Sequence, residues 1–261
     1  MKKFLSVLLA LGLAVSATAC AGGASSSSEA ASSSEPEATP AVESEPATSE
    51  EAAPSGEVMS YDEYMAAAVD DAVTIESCVQ AKQSYYAEQG TATVYLQDEN
   101  GAYFAYDMAC TQDEYDQMTE GTRIRVSGYK AEWSGEVEIM DGKLDEILDG
   151  DTYVAEPLDV TELLGTDELE SHQNQKVSFT GLTVAPSTIE GDDTEYAFLY
   201  NYDGSGAQGD DLYFNVEYNG ATYTFVVESY LCDSESEVYK AVEALEVGQT
   251  IDCEGFLYWY E

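Results

Sequence analysis

The chain has 261 residues, of which 52 are acidic and 9 basic, and its formal net charge is −43. The negative electrostatic field of such a chain repels the phosphate backbone of nucleic acids. Binding would also lack the counterion release that drives nucleic-acid affinity, so nucleic acid is not expected as a partner. The single histidine and the cysteine spacings, which contain no C-x-x-C, argue against an ordinary zinc site and against nucleophiles activated by histidine.

The N-terminus has the layout of an export signal. Two lysines precede an apolar run from Phe4 to Val15, and small residues lead to Cys20. The run is too short to span a bilayer, and the last four residues resemble a lipoprotein box in which Cys20 receives a diacylglycerol group. We expect residues 1–19 to be removed, and acyl chains such as palmitate to hold the protein at the extracytoplasmic face of the cell membrane. An ordinary secretory signal cut at the same site is the alternative.

The next segment, residues 20–57, begins with the lipidated cysteine and contains no aromatic residue. Its Ala, Ser, Glu and Pro composition buries too little apolar surface to offset the entropy of ordering, so it is predicted to be a disordered tether. A coil of this length spans on the order of 35 Å. Beyond it, residues 58–261 contain 44 acidic and 7 basic residues, hence a net charge of −37, which we interpret as a solubilising surface.

The first predicted domain, residues 58–150, begins with a lead helix. Ser60 and Glu63 form a capping-box pattern, and good helix formers follow for about three turns. Near alternation of apolar residues then predicts a first strand over residues 73–81.

A hairpin follows this strand. A two-residue turn at Asn100 and Gly101 would pair Leu96 with Ala105, whereas a three-residue loop would pair Leu96 with Phe104. We favour the three-residue loop, because it collects large apolar side chains on one face and places glycine where such loops need a left-handed residue. The polar residues on the opposite face are then Tyr95, Gln97 and Tyr103.

A short acidic helix, ending at Gly121, precedes two further alternating strands. The order strand, strand, strand, helix, strand, strand in about 80 residues is typical of a five-stranded Greek-key barrel of the OB type. The stretch from Gly121 to Gly128 recurs from Gly248 to Gly255. The chain is therefore predicted to be all-β with short helices and to contain two tandem OB-like barrels.

The second predicted domain, residues 151–261, starts with a connector of short helical turns. Strands follow, including a hairpin at Asn219 and Gly220, and then a helix and a last strand. Because the sequence given stops soon after this strand, the second barrel is expected to be atypical, with an altered strand order.

Four cysteines remain besides the lipidated one, and an even number in an exported chain favours disulfides. Cys110 and Cys232 occupy equivalent places after a third strand, while Cys78 lies in the first strand of its barrel and Cys253 in the fourth. The first and fourth strands are neighbours in an OB barrel. We predict bonds between Cys78 and Cys110 and between Cys232 and Cys253, although Cys78 is out of phase with its strand unless a bulge is present.

A ligand site is expected on the first barrel. OB barrels bind ligands across strands 2 and 3, between two flanking loops. The residues predicted on this surface are Tyr85, Tyr86, Tyr95, Gln97, Tyr103 and Trp133. Rings among amide and hydroxyl groups favour neutral ligands such as sugars. The alternative is that these rings cover the barrel ends or the contact between the domains.

Other polar motifs indicate structure rather than chemistry. Residues 201–206, NYDGSG, resemble the opening of a calcium loop, but Leu212 stands where a bidentate glutamate is needed, so an acidic hairpin loop is expected. Arg123 and Arg125 are expected to pair with carboxylates, and His172 to be a solvated loop residue. Neither a metal nor a cofactor is predicted.

The segments MSYDEYMAAAVDD, VYLQDENGAYF, GYKAEWSGEVEI and DVTELLGTDEL resemble a group of uncharacterised bacterial surface lipoproteins of Gram-positive type with duplicated OB-fold-like domains. The resemblance implies neither an activity nor site residues. The expected function is a non-enzymatic binding or interaction module for a glycan or another neutral envelope or extracellular ligand. The alternatives are an OB-fold oligonucleotide-binding protein and a carboxylate-dependent hydrolase.

Overall fold

The structure is a computed structural model that describes residues 56–260 and, nearer the N-terminus, the backbone of two short strands. These strands are β1 (Phe4–Leu8) and β2 (Leu13–Val15). Cys20 and the predicted tether up to residue 55 lie outside the described residues, so the predicted lipidation site stays a prediction.

The first half contains two short helices and five strands. They are α1 (Tyr61–Ala66), β3 (Ala72–Lys82), β4 (Thr91–Gln97), β5 (Ala102–Ala109), α2 (Gln112–Gln117), β6 (Arg123–Trp133) and β7 (Glu136–Ile147). The predicted capping box of Ser60 and Glu63 is present at the start of α1. The helix is shorter than the predicted three turns, because the backbone is already extended at Ala67.

The five strands of the first half form a closed barrel in the order β3-β4-β5-β7-β6, with β6 paired back to β3. The strand β7 runs parallel to β5 and antiparallel to β6. This is the strand order of an OB fold, so the predicted barrel is confirmed. Alternate residues of its strands fill one core; the members on β3 are Val73, Ile75 and Val79.

The second half is also mostly β-structure. Its elements are β8 (Leu158–Asp159), two 3-10 turns (Thr161–Leu163 and Leu169–His172), β9 (Lys176–Ala185), β10 (Leu199–Tyr200), β11 (Leu212–Tyr218), β12 (Ala221–Val227), α3 (Glu237–Glu243) and β13 (Thr250–Tyr260). They form an eight-stranded sheet in the order β10-β11-β12-β1-β13-β9-β8, in which β2 also pairs with β13 and β9 with β11. A second closed barrel stays a prediction.

The strand β1 has a particular place in this sheet. It lies parallel to β12 and antiparallel to β13, and β7 has the same relation to β5 and β6 in the first half. The strand Phe4–Leu8, which lies within the predicted export signal, therefore occupies the position of the fifth strand that the sequence analysis did not find in the second half. None of the helices among the described residues is long and apolar enough to cross a bilayer.

Candidate functional site

The hairpin of β4 and β5 differs from the predicted one in register. Leu96 pairs with Tyr103, and Tyr95 pairs with Phe104. The predicted pairing of Leu96 with Phe104 is wrong by one residue, and a shift of one residue exchanges the two faces of a strand. Tyr103 therefore packs in the barrel core, and Phe104 lies beside Tyr95 on the outer face.

The turn of this hairpin is held by the Asp98 side chain. Its carboxylate accepts hydrogen bonds from the amides of Asn100 at 2.7 Å and Gly101 at 3.3 Å, and the Asp98 amide donates to the Gly101 carbonyl at 3.0 Å. An aspartate that binds its own turn in this way stabilises a tight loop without a left-handed glycine. Gly101 is needed for a different reason, because a Cβ there would lie 2.3 Å from the Tyr61 ring.

The second half covers the outer face of β4 and β5. The Tyr95 ring stacks on Phe256 of β13 with their centroids 4.5 Å apart, and Phe104 meets Tyr258 edge to face at 5.6 Å. Val226 of β12 belongs to the same buried cluster, and Tyr95 is 0% exposed. The surface that OB barrels use for ligands is thus a contact between the two halves in this protein.

Hydrogen bonds close one edge of this contact. Gln83, in the loop that follows β3, donates to the Glu228 carboxylate at 2.5 Å. The neighbouring Ser84 amide donates to the Tyr230 carbonyl at 2.8 Å. Both partners lie just after β12, so the loop that flanks the ligand face of an OB barrel is bound to the second half.

The opposite edge is closed as well. The Gln97 side-chain oxygen accepts a hydrogen bond from the Lys176 amide at 2.8 Å, so this predicted ligand-binding residue joins the two halves instead. The Gln173 side chain donates to the Gly135 carbonyl, in the turn between β6 and β7, at 2.9 Å. A ligand could reach this face only if the two halves separated.

The other predicted rings lie at the periphery. Tyr85 packs against Tyr115 with the ring centroids 5.4 Å apart, and its hydroxyl donates to the Cys110 carbonyl at 3.1 Å. Tyr86 and Trp133 are exposed. The six predicted side chains therefore do not form one surface: Tyr95 and Gln97 join the two halves, Tyr103 is in the core, and only the rim residues remain accessible.

Burial alters the acidity of carboxyl groups near this contact. Burial, together with the neighbouring charge of Asp211, raises the pKa of Glu228 to about 7. Burial also raises the pKa of Glu138 on β7. The pKa of Tyr95 and that of Tyr258 are raised by burial first and then by nearby carboxylates, among them Glu228. Burial at this contact therefore favours the protonated form of Glu228 up to near neutral pH.

A buried lysine fastens the lead helix to the barrel. Lys130 of β6 is 7% exposed, and its Nζ donates to the carbonyls of Tyr64 at 3.1 Å, Met65 at 2.8 Å and Ala67 at 2.9 Å. Carbonyls at the end of a helix have no partner within the helix, and a positive charge there is favourable. This lysine, together with the contact of Tyr61 on the β4–β5 turn, fixes the position of α1.

The lead helix helps to enclose a cleft of about 360 Å³, which we call the connector cleft. Its other walls come from the first residue of β5, the start of β7 and the connector that precedes β9. The lining residues are Tyr61, Tyr64, Met65, Ala102, Val137, Asp167, Glu170, Ser171, Gln173 and Asn174. The cleft thus combines aromatic and aliphatic walls with polar and acidic groups from the connector, as sites for small organic ligands do.

Two residues of this lining each have a buried side-chain atom without a hydrogen-bond partner among the described residues, namely Oη of Tyr64 and Oδ1 of Asn174. Tyr64 is 1% exposed and Asn174 is 4% exposed. The amide nitrogen of Asn174 donates to the Val137 carbonyl at 3.0 Å, which fixes the direction of its side chain. Burial raises the pKa of Tyr64, so its hydroxyl stays protonated and can donate. The same feature occurs away from the cleft, at Tyr95 and Ser127, so it does not by itself mark a ligand site.

Tyr61 also borders a second cleft, of about 520 Å³, at the end of the barrel. It is lined by acidic side chains that include Asp98 and Glu99, and by Arg123, whose guanidinium is 3.9 Å from the Glu76 carboxylate. None of its described lining residues has a buried polar atom without a partner. The connector cleft, which has apolar walls beside its polar groups, is the better candidate for a ligand site.

No disulfide joins the cysteines in the described part of the chain. Cys78 pairs with Gln97, at one end of β4, whereas Cys110 follows the end of β5 that pairs with Thr91, at the other end of β4. At about 3.3 Å per residue these two levels are about 20 Å apart, and a disulfide needs a Cα separation of about 4.4–6.8 Å. The predicted bond between Cys78 and Cys110 is therefore incompatible with the barrel register.

The other two cysteines belong to one core. Cys232 and Cys253 both lie in the core cluster of the second half. Burial raises the pKa of Cys232 to about 12 and also raises the pKa of Cys253, which opposes thiolate chemistry at either sulfur. A bond between them stays a prediction.

The remaining polar motifs have structural roles. Arg125 pairs with Glu76 at 2.6 Å, as expected for an arginine on this face. His172 is half-buried rather than solvated, and its Nδ1 is 3.0 Å from the side-chain oxygen of Gln175. Residues 201–206 form turns between strands. The described residues include no group of three or more His, Cys, Asp or Glu side chains that could hold a metal ion.

No protein-family model matches the chain, and no curated protein matches it. Solved structures resemble it weakly. A chain of the replication protein A heterotrimer bound to ssDNA has 16% identity and a TM-score of 0.28, and the match covers 61% of this chain and 40% of that one. This chain thus matches 40% of the length of the replication protein A chain.

Two further structures are similar at the same level. One comes from work described as "Structural mimicry for functional antagonism", with 12% identity, a TM-score of 0.32 and coverage of 70% of this chain and 80% of that one. The other is described as "Molecular basis for abrogation of activation of pro-inflammatory cytokines", with 14% identity, a TM-score of 0.29 and coverage of 65% and 78%. These likenesses carry no argument about function, and the OB-type assignment rests on the strand order of the barrel.

Proposed function

We propose that this protein is a lipid-anchored extracytoplasmic binding module without enzymatic activity, and that it takes a small neutral ligand such as a glycan into the connector cleft. The sequence of the N-terminus supports export and acylation at Cys20. The low-complexity tether would hold the folded part some distance from the lipid surface. The observation that carries the binding role is the lining of the connector cleft, which combines aromatic and aliphatic walls with carboxylate and amide groups.

The lining of the connector cleft matches the chemistry of a neutral sugar. Tyr61 offers a ring, and Met65 and Val137 offer aliphatic surface, on which the apolar face of a sugar ring can pack. Asp167 and Glu170 come from the connector and can accept hydrogen bonds from hydroxyl groups. The same two carboxylates would repel anionic ligands, as does the net charge of the whole chain.

Oligonucleotide binding has weaker support. The OB barrel would need the outer face of β4 and β5 for this purpose, and Tyr95 on that face is stacked against Phe256. The acidic surface would add repulsion of phosphates, so binding of nucleic acid would lack its main driving force.

A glycan array probed with the full-length protein tests the binding role, with a nucleic-acid array as comparison. The replacement Ser171→Trp places a large ring at an exposed position in the cleft lining, and we expect it to abolish binding to any array hit. Thr166→Trp is the matched control. Thr166 is also exposed in the connector, and its hydroxyl, like that of Ser171, donates to the carbonyl three residues earlier in the chain. Thr166 does not line the cleft. Equal affinity of both variants would place the site elsewhere.

The anchor is tested separately by Cys20→Ser. We expect this variant to leave the membrane fraction or to remain unprocessed, because no acyl chain can be attached. A variant that is still processed and membrane-bound, without incorporation of a labelled fatty acid, would contradict the proposed anchor.

A further inference from the structure

The strands β1 and β2 lie along one edge of β13. The strand β1 pairs with residues 256–260, and β2 pairs with residues 251–253. On its other side β1 meets β12, where Leu8 is in register with Val226. In the sheet that the structure describes, β1 stands between β12 and β13, which do not pair with each other. We call the position that β1 fills between these two strands the strand slot.

Both faces of the strand slot are apolar. Leu257 of β13 belongs to the core of the second half, as does Phe225 of β12. The next residues along the two strands, Phe256 and Val226, belong to the buried contact between the halves. Successive residues of a strand point to opposite faces. A strand in the slot is therefore expected to be apolar at nearly every position, as the sequence of β1, FLSVL, is.

The proposed export processing before Cys20, on which this inference rests, removes both β1 and β2. The edges of β12 and β13 then present N–H and C=O groups that β1 had paired, and such edges accept another strand. The tether offers no replacement, because residues 20–57 contain one valine and no leucine, isoleucine, methionine or aromatic residue. A second processed copy lacks the same segment, and its other described strands are already paired.

We propose that the processed protein binds another polypeptide by strand addition in the strand slot. The partner contributes an extended apolar segment of about five residues, which runs parallel to β12 and antiparallel to β13, as β1 does. Main-chain hydrogen bonds to both edges provide affinity, and the apolar faces select the side chains. Basic residues beside the segment add attraction to the acidic folded part.

The probe is a fluorescently labelled synthetic peptide of residues 2–10, KKFLSVLLA. Fluorescence anisotropy compares its binding to two forms of the protein in the same detergent, each verified by intact mass. The processed lipoprotein, purified from the membrane fraction, should bind the peptide. The full-length chain, made without processing in a cell-free system, should bind it at least about tenfold more weakly, because the peptide must displace a strand of the same chain that is held at high effective concentration.

A proline peptide separates strand pairing from general hydrophobic attraction. Ser6→Pro leaves the apolar residues intact, but it removes a main-chain donor, which a strand between two others does not tolerate. We expect this peptide to bind the processed protein about tenfold more weakly, because a buried hydrogen bond is lost. Ser6→Ala is the matched control, since it keeps the donor and should bind as the unchanged peptide does.

Two further measurements locate the site. A photoreactive group at Leu8 of the peptide should crosslink to β12 or β13 near Val226 or Phe256, which are its partners in register. If the processed protein alone shows no cooperative melting transition, the peptide should restore one, because binding to the folded state stabilises it.

Binding that is confined to the processed form, weakened by Ser6→Pro and crosslinked to β12 or β13 supports strand addition. Equal binding to the two forms, equal binding of the Ser6→Pro and Ser6→Ala peptides, or crosslinks outside these strands would refute it. A processed protein that neither binds the peptide nor regains a melting transition with it would also refute strand addition, while the proposed anchor would stand. If intact mass shows that the membrane-bound protein retains residues 1–19, the proposed processing and strand addition are both wrong.

Discussion

Replacing Glu228 by glutamine should remove part of the pH dependence of stability. Glu228 accepts a hydrogen bond from Gln83 across the contact between the halves. Burial and the neighbouring Asp211 charge raise its pKa from 4.5 to about 7. Glutamine has nearly the same shape and can still accept from Gln83, but it cannot ionise. The variant therefore tests the charge of this residue and leaves its packing intact.

The direction of the effect follows from proton binding. Below pH 4.5 the carboxyl group is protonated in both the folded and the unfolded chain. Between pH 4.5 and about 7 the folded chain keeps the proton that the unfolded chain loses, so the free energy of unfolding falls as pH rises. At about 1.4 kcal/mol per pKa unit, the total loss is about 3–4 kcal/mol and is nearly complete by about pH 8. About 2–3 kcal/mol of it falls between about pH 5 and about pH 8.

Urea denaturation at pH 5, 6, 7 and 8 measures this loss. Over this range the free energy of unfolding of the wild type should fall by about 2–3 kcal/mol more than that of Glu228→Gln. A residual pH dependence should remain in the variant, because burial raises the pKa of Glu138 in the same direction. Glu217→Gln, at an exposed position of the neighbouring strand β11, is the control and should behave as the wild type. If Glu228→Gln loses as much stability as the wild type between pH 5 and 8, Glu228 does not keep its proton at neutral pH and the reasoning is refuted.

Three further predictions concern the lead helix and the cysteines. Lys130→Met should lower the free energy of unfolding by about 2–4 kcal/mol, measured by urea denaturation, because three carbonyls at the end of α1 lose their donor. Gly101→Ala should cost about 1–3 kcal/mol in the same assay, since its Cβ would collide with the Tyr61 ring; an unchanged midpoint would show that α1 is not held there. Peptide mapping without reductant should find no bond between Cys78 and Cys110, and detection of that bond would contradict the barrel register.

Much of the first half follows from local sequence patterns. The capping box at Ser60 and Glu63 predicts the start of α1, and the structure has the helix there. Near alternation predicts the strands, and their order around a short helix predicts the closed barrel that β3 to β7 form. These features depend on residues that are only a few positions apart, so they can be predicted from a single sequence.

The candidate site was not predictable in the same way. The sequence draws attention to exposed-looking rings on one barrel, but the connector cleft is built from a helix, two strand ends and a connector that are distant in sequence. Tyr64 appears in the sequence as an ordinary apolar position of a helix, and Asn174 as one polar residue among several in a connector. Only their position in the lining of one cleft brings them together, and that position is a property of the assembled chain.

The amino-acid sequence by itself thus determined the strand pattern, the helix starts and the acidic charge, because each depends on local residue types. The tertiary structure decided the β4–β5 register, in which the Asp98 turn and the packing of Tyr103 in the core outweigh the apolar pattern that favoured another pairing. It also decided that Tyr95 faces Phe256 rather than solvent. Burial of an aromatic side chain on a strand is favourable whether a ligand or a second domain covers it. The sequence alone therefore does not distinguish these two cases, and the packing of the chain decides between them.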